Sequence, residues 1–577
     1  MNFIKTVLAV LVAQFLLMFT VFFGLGVMST LFTHEAGVHV DKGSYLVVDV
    51  YGDIPPYDAP ESISSSIFGH EETFTRILDN LEKAAADKRI NGVIMKISDS
   101  NSLGLASLGE LRDAIAKVQK AGKEVLAYSD GLDRNSLYLA SACDSIFMPE
   151  IADVSFTGMG ETNVFAKGTL QKLGVHQNLH KIKDYKTAAE LLQRDNMSPE
   201  AKEMAGWLID ETWDVELGAI SRDRGIAVDS LETCMQTALF TAPEAKAAGL
   251  IDACLYWDQL EDRLGGDDFL SVDEDTYGDV SRAEAGIHGK HHIAVVHAYG
   301  DIGGRESRSG GLSGAVMGHE TVIDDLRSAE EDDAAKAIIF RVDSPGGESL
   351  ASQLIAREVA RIAKKKPVIV SMGDVAASGG YAIAYNGTKI VADSLTITGS
   401  IGSIFGKMNV AGLWNKGGVT FDSVTKGPNA LFFSEFTDFD AEQWKRVESY
   451  HNASFDLWLR DISAARKIPI DQLRSISEGR VWTGRQAVAN HLIDATGGWE
   501  KAVELAKSEA KLPAEDAVIF DHYPRKVGII TLLTSGKAPI TIARLMITRW
   551  MHTDFAETKR LLLSGQMSLY TGPSRIE

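Results

Sequence analysis

One serine in this chain stands among unusually small neighbours, in Val375-Ala-Ala-Ser378-Gly-Gly-Tyr381. Small residues let a substrate carbonyl approach the serine Oγ. A helix beginning at Gly379 would turn backbone N–H groups toward that carbonyl. This is chemistry for nucleophilic attack, although a plain serine N-cap with glycines for close packing has the same pattern. A second turn, Asp343-Ser-Pro-Gly346-Gly347-Glu348, follows an apolar run. The N–H of Gly379 with one from Gly346 or Gly347 would make an oxyanion hole.

A serine of ordinary pKa needs a base. His451 and His491 lie in helix-like segments without an acidic residue to orient them, and read as surface histidines. Lysine is the other option, and His180-Lys-Ile-Lys183-Asp184-Tyr-Lys186-Thr-Ala-Ala-Glu190 supplies Lys186, with Lys183 its nearest rival. To accept a proton near neutrality, a lysine must fall by about 3.4 pKa units, about 4.6 kcal/mol. Burial does this where no carboxylate is close, so Asp184 has to point elsewhere. The rate should then rise from neutral to alkaline pH.

The elements that position these residues are written twice. Tyr45-Leu-Val-Val-Asp-Val-Tyr-Gly-Asp-Ile54 reads like Ile293-Ala-Val-Val-His-Ala-Tyr-Gly-Asp-Ile302, and Gly92-Val-Ile-Met-Lys-Ile97 like Ala337-Ile-Ile-Phe-Arg-Val342. Phe156-Thr-Gly matches Ile397-Thr-Gly, and Phe240-Thr-Ala-Pro-Glu-Ala matches Trp482-Thr-Gly-Arg-Gln-Ala. Colinear matches with a slowly drifting offset mean two tandem domains of one fold. Short β-branched runs alternate with helical patterns in each, which predicts α/β units around a largely parallel sheet. Where the second copy has Ser378, the first has Asn135. Where the first has Lys186, the second has Asn429 or Ala430. Complementary loss is what one composite site shared by two degenerate copies would leave.

The expected organisation is an anchor over residues 1–40, a first repeat over 41–264 and an acidic linker over 265–290. A second repeat over 291–508 and an extension over 509–577 follow. Val7 to Phe32 carries no charge. Its length, about 26 residues or 39 Å of helix, crosses a bilayer. It exceeds a signal-peptide core and lacks an Ala-x-Ala site. Lys5 before it and acidic residues after it put the N-terminus in the cytoplasm. Val527 to Trp550 reads as an interfacial helix or a cap on the second domain. The net charge of −21 argues against nucleic acid as a partner. Of three cysteines, Cys143 belongs to an apolar run, and a Cys234–Cys254 bridge stays open. No cluster has zinc-ligand spacing.

These motifs resemble the long form of bacterial signal peptide peptidase A, or protease IV. That family is a membrane-anchored Ser–Lys peptidase of the Clp-protease/crotonase-like fold, here in two tandem copies. The resemblance is carried by Ser344-Pro-Gly-Gly347, by Gly373-Asp374 with the Ser378 turn, by Thr398-Gly-Ser-Ile-Gly402, and by Asp184-Tyr-Lys186-Thr-Ala-Ala-Glu190. It runs from the anchor to about residue 505. The family's lysine motif often continues with proline, and here Leu191-Leu192 follow instead. The resemblance implies Ser378 as nucleophile, Lys186 as general base, and Gly379 with Gly346 or Gly347 as oxyanion donors. Ser400 would support the lysine amine. Glu348 and Ser349 would line a strand edge, Gly347 to Leu350, that takes an extended peptide. No metal or cofactor is implied. Substrates would be signal-peptide remnants and other apolar peptides. The implied setting is the outer side of the bacterial inner membrane, with the N-terminal helix in lipid and a homotetramer as the assembly. The alternatives are an acyl-CoA-binding crotonase-like protein and an inactive membrane scaffold.

Overall fold

The computed structural model describes residues 38–57, 73–308 and 315–525. The expected anchor over Val7–Phe32 and the stretch Val527–Trp550 lie outside them. Among the described residues, no helix is long and apolar enough to cross a membrane.

The apolar runs of the first repeat form β1 (Ser44–Gly52), β2 (Ile90–Asn101), β3 (Glu124–Leu132), β4 (Ser145–Met148) and β5 (Asp153–Phe156). After them come β6 (His176–Lys181), β7 (Ala238–Thr241), β8 (Ala253–Cys254) and β9 (Ser271–Asp273). The sheet order is β7-β5-β3-β2-β1-β9, with β4 and β8 branching from β3. The second repeat has β10 (His291–Tyr299), β11 (Asp301–Ile302), β12 (Val316–Met317), β13 (Ala335–Ser344), β14 (Val368–Ala377) and β15 (Lys389–Ala392). It continues with β16 (Ile397–Gly399), β17 (Ile404–Asn409), β18 (Val481–Thr483), β19 (Ala495–Thr496) and β20 (Val518–Tyr523). Its order, β18-β16-β14-β13-β10-β20 with β15 and β19 branching from β14, repeats the first sheet strand for strand.

The central strands are parallel and covered on both faces, so their apolar runs are nearly continuous. Ile338, Ile339 and Phe340 of β13 have no exposed surface. Helix Ser349–Ile362 carries the chain from β13 to β14 and buries Ile355, Val359 and Ile362. β14 pairs with β15 through Ile369–Met372 and with β16 through Val375–Ala377, diverging at Gly373-Asp374. A side chain at Gly373 would meet the Asp343 carboxylate at 2.6 Å.

The span 265–290 does more than link. Ser271–Asp273 adds β9 in parallel beside β1, and Tyr277 is fully buried. β20 does the same for β10, inside the expected extension. Each repeat therefore runs one edge strand beyond the matched motifs. A strand as short as Ser-Val-Asp leaves no readable alternation.

Contacts that join the repeats include a strand pair, a helix cap and an ion pair. β6 of the first pairs antiparallel with β17 of the second, from His176↔Asn409 to Lys181↔Ile404. Asp374 accepts from the Ser107 N–H (2.9 Å), the Ser107 hydroxyl (2.6 Å) and the Gly104 N–H (3.2 Å), so it caps helix Leu105–Lys120 of the other repeat. Arg341 grips Glu110 with two bonds of 2.7 and 2.9 Å. The cysteines are free thiols, and Cys143 is buried.

Candidate active site

Ser378 follows the last residue of β14 and caps helix Gly379–Ala384. Its φ of +55° and ψ of −113° lie where a non-glycine residue rarely sits. Such a backbone costs roughly 1–3 kcal/mol and persists only where surroundings enforce it. They do so here: the Ser378 N–H donates to the Gly399 carbonyl at 2.9 Å, and its carbonyl accepts from Ala382 at 2.9 Å. The 344–347 turn presses against the serine turn. A Cβ on Gly380 would stand 2.3 Å from the Ser344 carbonyl oxygen, and one on Gly346 would stand 2.5 Å from the Gly379 nitrogen. Glycine is required there because two backbones touch.

Hydrogen bonds separate the two candidate donors of that turn. The Gly346 N–H is taken by Ser344 Oγ at 3.2 Å. Ile302 donates to the Gly346 carbonyl and accepts from the Glu348 N–H, both at 2.7 Å. In a parallel bridge of this kind the residue between, Gly347, points its own N–H to the opposite side. That side holds Gly379, whose Cβ would lie 3.0 Å from the Gly347 nitrogen. Among the described residues, neither the Gly347 nor the Gly379 N–H has a hydrogen-bond partner. These two N–H groups lie together beside Ser378, and Gly346 supports the turn.

Lys186 arrives from the other repeat, in the turn after β6, and is 6% exposed. Its Nζ lies 3.0 Å from Ser378 Oγ, 2.9 Å from Ser400 Oγ and 3.0 Å from the Ser400 carbonyl. Burial alone drives its pKa down to about 7. A neutral amine has two N–H donors and one lone pair. The two Ser400 oxygens can accept the donors, which leaves the lone pair for the hydroxyl hydrogen of Ser378. Asp184 is exposed, as this requires. Lys183 is half exposed and paired with Glu478 at 3.2 Å, so it stands apart from the serine.

One loop outside the quoted motifs, 478–480, completes the lysine's enclosure. The Ser400 N–H donates to the Arg480 carbonyl at 2.7 Å, and the Gly479 N–H to the Ile401 carbonyl at 2.8 Å. Gly479 has φ +97°, and a Cβ there would run into the backbone nitrogen of Lys186. Arg480 stacks over Tyr185, 3.8 Å from the ring centroid. Gly479 escapes a sequence reading because an isolated glycine in Ser-Glu-Gly-Arg looks like any turn.

Two expectations need correction. His451 is buried, 3% exposed, rather than superficial, whereas His491 is exposed as expected. His451 sits on the stripe Val447, His451, Phe455, Leu459, Ile462 of helix Ala441–Arg466, a spacing the sequence does display. The strand edge expected over Gly347–Leu350 is shorter, because helix Ser349–Ile362 begins at Ser349. Ser349 is thus helical, and Glu348 is exposed with its carboxylate 3.3 Å from the Gly304 N–H.

The profile of peptidase family S49 matches residues 117–267 and 360–513, one stretch in each repeat. The chain belongs to peptidase family S49. It is 33% identical to the chloroplastic serine protease SPPA of Arabidopsis thaliana, over 86% of this chain and 74% of that protein. It is 30% identical to protease 4 of Haemophilus influenzae, over 85% of this chain and 82% of that one. Protease 4 of Salmonella typhi is 29% identical, over 89% and 85% of the two chains. The S49 chain described here is therefore a serine peptidase, α/β in fold and built of two S49 repeats.

Proposed function

We propose that this S49 peptidase is a membrane-anchored endopeptidase using a Ser378–Lys186 dyad, with cleaved signal peptides and other apolar peptides as substrates. The observation that carries the dyad is the lysine's partner set: two acceptors from Ser400, the nucleophile's hydroxyl, and no carboxylate. Neutral Lys186 takes the Ser378 proton as Oγ attacks the peptide carbonyl. The oxyanion forms between the N–H groups of Gly347 and Gly379. Lys186 then gives its proton to the leaving amine; water, deprotonated by Lys186, opens the acyl-enzyme, and the proton returns to Ser378 Oγ as the acyl bond breaks. The substrate class, the Clp/crotonase-like assignment of the sheet and the placement outside a bacterial inner membrane rest on the motif resemblance and on the uncharged run Val7–Phe32.

The test is hydrolysis of an apolar peptide amide by full-length protein in mild detergent, as wild type, Ser378→Ala and Lys186→Ala. Wild-type kcat should rise with a midpoint near pH 7, and both variants should fall to background while folded. Retained activity in Lys186→Ala would overturn the dyad.

The assembly proposed is a head-to-tail homo-oligomer, a tetramer by resemblance. Its support is an asymmetry between the repeats. Aligning Val175 with Val419 sets 420–425 opposite β6, yet among the described residues these form no strand. Residues 413–430 are all exposed, with Trp414 50% and Val424 fully open to solvent. The stretch before helix Lys167–Leu173, the counterpart of β17, likewise exposes Val164 at 71%. One chain closes one such ribbon, and a second copy can close the other. Native mass spectrometry should show a closed oligomer that Val424→Asp weakens. A monomer in the wild type would refute the assembly.

A further inference from the structure

Close behind the lysine, three polar side chains form a chain that none of the chemistry above uses. His180 of β6 and His451 of helix Ala441–Arg466 approach Nδ1 to Nδ1 at 2.7 Å. One ring must donate and the other accept, so the pair holds opposite Nδ1 protonation. The Nε2 of His451 then meets Ser403 Oγ at 2.6 Å. The Ser403 carbonyl accepts the Ile182 N–H at 2.9 Å. Ser403 lies three residues after Ser400, and Ile182 four residues before Lys186. The strand that leads to the lysine and the loop that carries its acceptors are thus pinned together by one imidazole from a third element. Phe405 closes the side of the His451 ring, with centroids 5.9 Å apart.

The histidines are suited to this structural work. Burial holds His451 down to about 4, with His180 adding to the shift, and burial lowers His180 against the pull of Glu448. Both rings stay neutral where the peptidase works, so they hold geometry without titrating.

We propose that His451 is a positioning residue for the lysine base, locking the Ser400–Ser403 loop to β6, the strand that leads into the Lys186 turn. This rests on the Ser–Lys reading. If the lock loosens, Ser400 drifts from the amine and water reaches it. Two consequences follow together: fewer productive encounters, and a lysine that titrates closer to its ordinary value.

The experiment compares full-length wild type, His451→Leu, Ser403→Ala and the double variant, in kcat, KM and the pH midpoint of kcat. His451→Leu should lower kcat roughly tenfold, leave KM within about twofold, and raise the midpoint by about half a unit or more. Ser403→Ala should move the same quantities less, and the double variant should be no worse than His451→Leu, since both cut one chain. Ser403 is only half-buried, so its variant keeps the test open if His451→Leu does not fold. A lower melting temperature with an unmoved pH midpoint would make His451 merely structural and overturn the proposal, as would an unchanged kcat. Lys186→Ala, run beside them, separates the failures: activity there sinks the dyad, whereas a dead Lys186→Ala with an unaffected His451→Leu sinks only the lock.

Discussion

The same turn occurs in both repeats and is put to opposite uses. In the second repeat, β14 is followed by Ser378 with a positive φ, and the Gly399 carbonyl accepts the serine N–H. In the first, β3 is followed by Asp133, which caps helix Arg134–Ala140 with a capping box. There the carbonyls of Thr157 and Gly158, counterparts of Thr398 and Gly399, are taken by the buried guanidinium of Arg134 at 3.3 and 3.1 Å. Arg134 also grips Glu216, and the two side chains are 4% and 0% exposed. The neighbouring turn differs in the same sense. Ile302 meets the Gly346 backbone, whereas its counterpart Ile54 donates to the Ser102 side chain at 2.9 Å. One copy fills the space with a cap and an ion pair. The other keeps it open with glycines and a strained serine, and admits Lys186 from the first repeat. At this turn one copy is closed by paired side chains and the other is left open beside Ser378.

The largest break in that comparison should come from Lys186→Met. Hydrolysis should drop to background while the fold gains stability. The folded lysine titrates near 7 and the unfolded one near its ordinary value, so the unfolded chain binds more protons between them. Wild-type stability should therefore rise with pH from about 7 to about 10.4, with the full penalty present below that window. Melting curves should show Lys186→Met ahead by about 4–5 kcal/mol at pH 6, with the gap closing toward pH 10. A gap independent of pH would mean the lysine is not buried uncharged.

A smaller effect is expected from Gly479→Ala. The new methyl would overlap the Lys186 backbone and would also strain a φ of +97°. Steady-state kinetics should show kcat lower by about tenfold to a hundredfold, with substrate affinity little changed. A wild-type rate would show that the clamp on Lys186 has slack.

The smallest effect on rate should come from the first repeat's own turn. Glu216→Ala leaves Arg134 buried without its partner and should cost about 3 kcal/mol in chemical denaturation. The kcat of the folded fraction should stay within about twofold, because this turn touches neither Ser378 nor Lys186. A fall in kcat would show that the two turns are coupled and that the division of labour is incomplete.

Much of this was legible before any coordinates. The Ser378 turn is conspicuous because a run of Ala and Gly around one serine has few structural uses. The duplication shows because buried parallel strands need apolar runs, which survive divergence. Other features left no trace. β9 is a three-residue edge strand beside acidic residues, with neither run nor alternation to mark it, and the apolar run Val518-Ile-Phe520 of β20 lies beyond the matched repeat motifs. The inward face of His451 was readable from the spacing of Val447, Phe455 and Leu459, but a histidine does not count as apolar in such a pattern.

By itself the sequence determined a duplicated α/β chain, a serine on a vacated turn in one copy and a lysine surviving in the other. Those are local properties, set by residue size, β-branching and glycine. Tertiary structure decided which glycine N–H is free, because that depends on Ile302 occupying the other side of the Gly346–Glu348 strand. It decided between Lys186 and Lys183, three residues apart, because only packing says which amine is buried and which finds a carboxylate. It also brought Ser378 and Lys186, 192 residues apart, to 3.0 Å, through a strand pair that neither repeat can make alone. A pKa is a property of surroundings, and the surroundings of this lysine come from the other half of the chain.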